Sequence, residues 1–142
     1  MTDNLRRLAA LAAETVPPET VVPTAAGFRV AYPGASVDFF SPGTGTFAYC
    51  RACVAEPGVR SLPAGFAEAA LAGNFFWRGT EGAVLSLDGA SGAVWLTDRF
   101  DDGAFADAAA FSEHAAFFLR TLAVWRARLE DASAATGRED RP

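Results

Sequence analysis

The sequence contains no lysine: all 12 of its basic residues are arginine, set against 17 acidic ones for a formal net charge of −5. An isoelectric point near 4.8 with no basic cluster offers little to the phosphate backbone that dominates nucleic-acid affinity, so no nucleic-acid partner is expected. Histidine is almost as scarce, with His114 alone, and the only cysteines are Cys50 and Cys53. A tetrahedral zinc site needs about four ligands, which these three residues do not supply. On a strand, residues three apart point to opposite faces, so the C-x-x-C spacing reads as two buried, reduced thiols rather than a redox pair. No metal and no cofactor is expected.

Long apolar runs are missing too. Arg, Asp, Glu or Gly interrupts every hydrophobic segment well before the ~20 residues a membrane span requires, which predicts no membrane insertion. Arg6 and Arg7 precede an alanine-rich amphipathic stretch, not the apolar core and cleavage site of a signal peptide, so the expected location is cytoplasmic. Glycine-rich phosphate loops, nucleophile elbows and paired-histidine motifs are all lacking, and no catalytic residue is assigned. His114 falls off the apolar stripe of its segment and reads as solvent-facing, while Asp98, Asp101 and Asp102 read as a solvated turn before a helix. The chain is expected to bind, not to catalyse.

What is present suits a single packed domain. With 142 residues, 51% hydrophobic and 20% charged, the chain is long enough to bury one core and far from the disordered class. One domain is expected over residues 1–132. Residues 133–142 are small, polar and charged, and predict a flexible tail.

Periodicity orders the elements. Thr2 and Asp3 are good helix caps, and Leu5, Leu8, Ala9, Ala12 and Val16 follow at helical spacing until Pro17-Pro18 stops them. An extended linker to Pro23 leads to three alternating runs: Phe28, Val30, Tyr32; Val37, Phe39; and Phe47, Tyr49, Arg51, Cys53. Pro33-Gly34 and Ser41 to Gly45 mark the turns between them, and Pro57-Gly58 the loop after them. Helical spacing returns from Phe66 to about Asn74. Two more alternating runs, Ala83, Leu85, Leu87 and Val94, Leu96, flank the turn Asp88 to Gly92. From about Ala104 to Asp131, Ala108, Phe111, Ala115, Phe118, Leu122, Trp125 and Leu129 form an unbroken stripe of steps of three and four. The prediction is an α+β fold of order α-β-β-β-α-β-β-α, with a five-stranded, mainly antiparallel sheet packed on helices.

The run from Leu71 to Leu96, LAGNFFWRGTEGAVLSLDGASGAVWL, places Asn74, Gly79, Gly82, Leu85, Leu87, Asp88, Gly92 and Leu96 where a helix end, a glycine-flanked turn and a hairpin would want them. In this run, in the order of its elements and in the Trp125–Leu129 end of its last helix, the chain resembles the class I type III secretion chaperones of the Tir chaperone (CesT) family. The resemblance implies a homodimer in the bacterial cytoplasm that holds the N-terminal segment of a secreted effector extended until export.

An extended segment can add to an exposed sheet edge while apolar grooves receive its side chains. The candidates for effector binding are Leu5, Leu8 and Leu11 on the first helix with Phe28, Val30, Val37, Phe39 and Tyr49 on the strands, although the same residues would also make a core. Phe40, opposite in parity to Phe39, puts large apolar groups on both faces of its strand. For a dimer interface the candidates are Phe66, Leu71, Phe75, Phe76, Trp77 and Trp95, because aromatic residues dominate interface centres. A same-fold regulatory module that binds a folded partner, or a small-ligand-binding domain, fits the same pattern of elements.

Overall fold

A computed structural model describes residues 1–42, 47–56, 62–101 and 103–139, with side chains to residue 135. The expected Ser41–Gly45 and Pro57-Gly58 turns fall largely outside the described residues, as does Asp102.

Helix α1 (Asp3–Thr15) begins where Thr2 accepts the amide of Leu5 and ends ahead of Pro17. Strands β1 (Val21–Pro23), β2 (Gly27–Tyr32), β3 (Ala35–Phe40) and β4 (Phe47–Ala55) follow, then α2 (Phe66–Asn74), β5 (Val84–Leu87), β6 (Val94–Asp101) and α3 (Ala108–Glu139). The sheet has six strands in the order β1-β2-β3-β4-β6-β5, one more than the sequence pattern predicts. The addition is β1, expected as linker. Its three residues are too few to show alternation, and Pro23 fits at an edge because an edge strand can spare a ladder donor.

The last helix also differs from expectation at both ends. Asp107 accepts the amide of Ala110, so the helix starts after Phe105 instead of at Ala104. At the other end it runs past Asp131 to Glu139, carrying residues 133–139 of the expected tail. Alanines at 132, 134 and 135 are strong helix formers, and no proline intervenes before Pro142.

The chain forms two compact units: Met1–Ala52 with Thr97–Leu119, and Cys53–Leu96 with Arg120–Pro142. In the first, β1 pairs with β2 and β2 with β3, all antiparallel, and Phe28 lies opposite Phe39 with the rings stacked at 4.8 Å. Phe111 from α3 closes on Phe39 at 5.5 Å, and Leu5, Leu8 and Ala12 of α1 are buried with them. Each large side chain so buried stabilises by about 1.5–3 kcal/mol.

In the second unit, Phe66 of α2 meets Trp125 of α3 edge-on at 6.1 Å, with Leu85, Val94, Leu96 and Leu122 also buried. The Asn74 side chain donates to the Leu85 carbonyl and accepts from the Leu85 amide, each at 2.9 Å. One carboxamide thereby pins the end of α2 to β5 as a neighbouring strand would.

Candidate binding surfaces

Parity decides which sequence candidates reach the surface. Inward positions of the first unit's strands are Phe28, Val30, Val37 and Phe39, each no more than 3% exposed, and Leu5 and Leu8 are equally buried. These six of the candidates for effector binding are core and offer no open groove in this form of the chain, because the sheet needs them to seat its helices. Leu11 and Tyr49 are half-buried and remain at the surface.

The opposite face of the same strands carries a different set of residues. Arg29, Asp38 and Arg51 stand in one cross-strand line, and Phe40 lies opposite Tyr49. Arg29 grips Asp38 with Nε–Oδ1 at 2.6 Å and Nη2–Oδ2 at 3.3 Å, which holds the guanidinium pKa above its ordinary value. Phe40 and Tyr49 stack at 5.6 Å, the Arg51 guanidinium sits 5.4 Å over Phe40, and that of Arg99 sits 4.4 Å over Phe47. Phe40, Phe47 and Tyr49 are half-buried. The doubled apolar parity at Phe39 and Phe40 signals this face in the sequence, and the arginines give no such signal.

The candidates for a dimer interface separate in the second unit. Phe66 is buried at 2% and belongs to the core, since the α2 face that meets Trp125 is inward. Trp95 is half-buried. Leu71, Phe75, Phe76 and Trp77 are 73%, 61%, 69% and 54% exposed, joined by Val84 and Leu87 on β5, an edge strand of the sheet. Phe76 and Trp77 hold φ of 50° and 55°, left-handed values that cost a residue with a Cβ about 1–2 kcal/mol each. Strain of this kind clusters at functional positions. An apolar groove of about 180 Å³ lies between α2 and β5, lined by Ala67, Ala70, Leu71, Leu85, Leu87 and Val94.

One polar cluster is internal. His114 Nε2 lies 2.9 Å from Asp98 Oδ2, close enough for an ion pair but not aligned as a hydrogen bond. His114 is therefore partnered and not simply solvent-facing. Asp98 and Asp101 belong to β6 and not to a turn, because the strand runs farther than its apolar alternation signals. A small cavity touches His114, Cys50 and Tyr32. Cys50 could complete a Cys–His–Asp set in composition, but at 1% exposure its burial pushes the thiol pKa well above the ordinary value. A protonated, enclosed thiol is no nucleophile. Cys53 lies on the other parity of β4, half-buried. Among the described residues no three His, Cys, Asp or Glu side chains could share a metal ion, and no helix is long and apolar enough to cross a membrane.

In the first unit helices cover one face of the strands and apolar groups remain on the other, and in the second unit exposed apolar residues gather at the end of α2 and on β5, an arrangement of the α+β class. The Tir chaperone protein (CesT) family profile matches residues 48–126, more than half of the chain, and the chain belongs to that family. No curated protein matches it significantly. Among solved structures, a chain of the ExsC–ExsE complex superposes with a TM-score of 0.71 at 17% identity, covering 91% of this chain and 96% of that one. The HopA1–SchA chaperone–effector complex gives 0.64 at 17%, covering 87% and 94%. The heterodimeric ExoU–SpcU complex from the type III secretion system of Pseudomonas aeruginosa gives 0.58 at 19%, covering 93% and 97%. These likenesses establish the fold.

Proposed function

We propose that this chain is a type III secretion chaperone of the bacterial cytoplasm, acting as a homodimer that binds the N-terminal segment of a secreted effector and keeps it extended for export. The observation that carries the reading is the CesT family match across β4, α2, β5, β6 and most of α3. The structural relatives, two of them described as a chaperone–effector complex and a type III secretion complex, support it. Its action is binding without catalysis, in keeping with the sealed thiol at Cys50.

The dimer forms through Leu71, Phe75, Phe76, Trp77 and Leu87. Exposed apolar residues in this number, on one helix end and one edge strand, are the material of an isologous interface. The effector segment runs extended, using main-chain bonds at a sheet edge and side-chain contacts at surface residues such as Leu11 and Tyr49.

The test joins light scattering with capture from the source cytosol. The expected result is a dimer carrying one dominant partner protected over its N-terminal region, with Phe76→Asp and Trp77→Asp together giving a folded monomer. A wild-type monomer, or a dimer that captures no secreted protein, would overturn the proposal.

A further inference from the structure

We infer that the outer face of β2, β3, β4 and residues Thr97–Asp101 of β6 is a docking surface for an acidic, extended segment of the partner protein in which carboxylate and apolar side chains take turns at every second position. This inference rests on the chaperone reading and specifies the chemistry of what is held.

Charge is the first argument. In a chain of net charge −5, this face gathers Arg29, Arg51 and Arg99 against Asp38, which lies between two of them, and Asp101 at a strand end. Asp38 is largely occupied within the protein, gripped by Arg29 and 3.8 Å from Arg51. Its fork with Arg29 displays the geometry in which a guanidinium takes a carboxylate.

Pre-organisation is the second. The Arg51 and Arg99 guanidiniums rest 5.4 Å and 4.4 Å from the centroids of the Phe40 and Phe47 rings, cation–π contacts that hold both charges over the aromatic ground of this face. The rings of Phe40, Phe47 and Tyr49 supply apolar ground between the charges. An extended chain presents every second side chain to one side, at intervals of about 7 Å, so a single strand can place carboxylates and apolar groups together on such a surface.

The experiment uses the full chain and three fluorescein-labelled peptides of about 12 residues, built of Asp-Ser-Leu-Ser, Asn-Ser-Leu-Ser or Lys-Ser-Leu-Ser repeats so that charged or polar and apolar groups fall on one side of the extended chain. Anisotropy is read at about 50 mM and about 500 mM NaCl. The acidic peptide should bind about tenfold tighter than the neutral one and lose most of that margin at high salt. Arg51→Gln with Arg99→Gln should weaken it about tenfold, while Arg6→Gln on α1 leaves it unchanged. Equal binding of the acidic and neutral peptides overturns the inference without any variant being needed. Conversion of the dimer to monomer by the two arginine substitutions would also overturn it, making the face a copy–copy interface. If the wild-type chain still captures a secreted partner in either case, the chaperone reading stands.

Discussion

Gly73 sits directly against the indole of Trp125: a Cβ built there would stand 2.4 Å from Trp125 Cζ2. The indole Nε1 donates to the Gly79 carbonyl at 2.8 Å, and the Gly79 amide donates to the Gly73 carbonyl at 2.9 Å, so two glycines and a fully buried tryptophan lock the end of α2 to α3 within the second unit. Gly73→Ala must push the indole aside, costing about 1–3 kcal/mol by overpacking despite the better helix propensity of alanine. Trp125→Phe strands the Gly79 carbonyl and costs about 1–3 kcal/mol from the orphaned acceptor alone. Urea midpoints measure both, and an unchanged midpoint for Gly73→Ala would show that α2 and α3 are not locked there.

Asn74 makes two bonds to one residue, and they should fail together. Asn74→Ala is expected to cost about 1–3 kcal/mol and to speed hydrogen exchange of the Leu85 amide selectively. Asn74→Asp keeps an acceptor for that amide but loses the donor to the Leu85 carbonyl, so it should not restore stability. Exchange at Leu85 as slow as in the wild type would contradict the pairing.

Burial, reinforced by Cys50, pushes the Tyr32 phenol up to about 12. Because the neutral form is the one the fold favours, its contribution to stability is complete below the unfolded value of about 10 and declines as pH rises from there through the folded value. Ultraviolet difference absorbance should show one tyrosine titrating with unfolding at strongly alkaline pH. Tyr32→Phe should abolish that phase and flatten the loss of stability above about pH 10.

The two thiols should differ in rate. Burial raises both, but Cys50 is enclosed while Cys53 is half-exposed beside Glu56. A thiol reagent should modify Cys53 first and Cys50 only as the chain unfolds, so Cys53→Ser removes the early phase. Oxidation should form no bond between them, because they lie on opposite faces of β4. An internal disulfide in mass spectra would refute that placement.

Much of this architecture is legible in side-chain period alone. The cap at Thr2, the stop at Pro17-Pro18, the alternation of β2, β3 and β6 and the stripe of α3 reappear at their expected places, because binary pattern reports which face is buried. In β4 the buried set is Ala48, Cys50, Ala52 and Val54, the parity opposite to the expected Phe47, Tyr49, Arg51 and Cys53, and in β5 Leu87 is exposed. Elements without a period are not legible: three residues of β1, and the polar alanine-rich end of α3. The site was harder to read. Alternation says that Phe28, Val30, Val37 and Phe39 share a face, but only the position of α1 and α3 decides that this face is the covered one. Leu71, Phe75, Phe76 and Trp77 could have been core by composition, and the left-handed turn that turns the aromatics outward has no sequence signature, since aromatic residues disfavour it. The approach of Trp125 to Gly79 joins residues 46 apart, a relation no local pattern encodes.

Two consecutive left-handed aromatics at Phe76 and Trp77 have a kinetic corollary. Their backbone angles are set when the chain folds, so an arriving surface meets rings already placed and need not wait for a loop to order. Encounters at this patch should therefore succeed or fail on shape at first touch, the strained turn having fixed the rings before any contact is made.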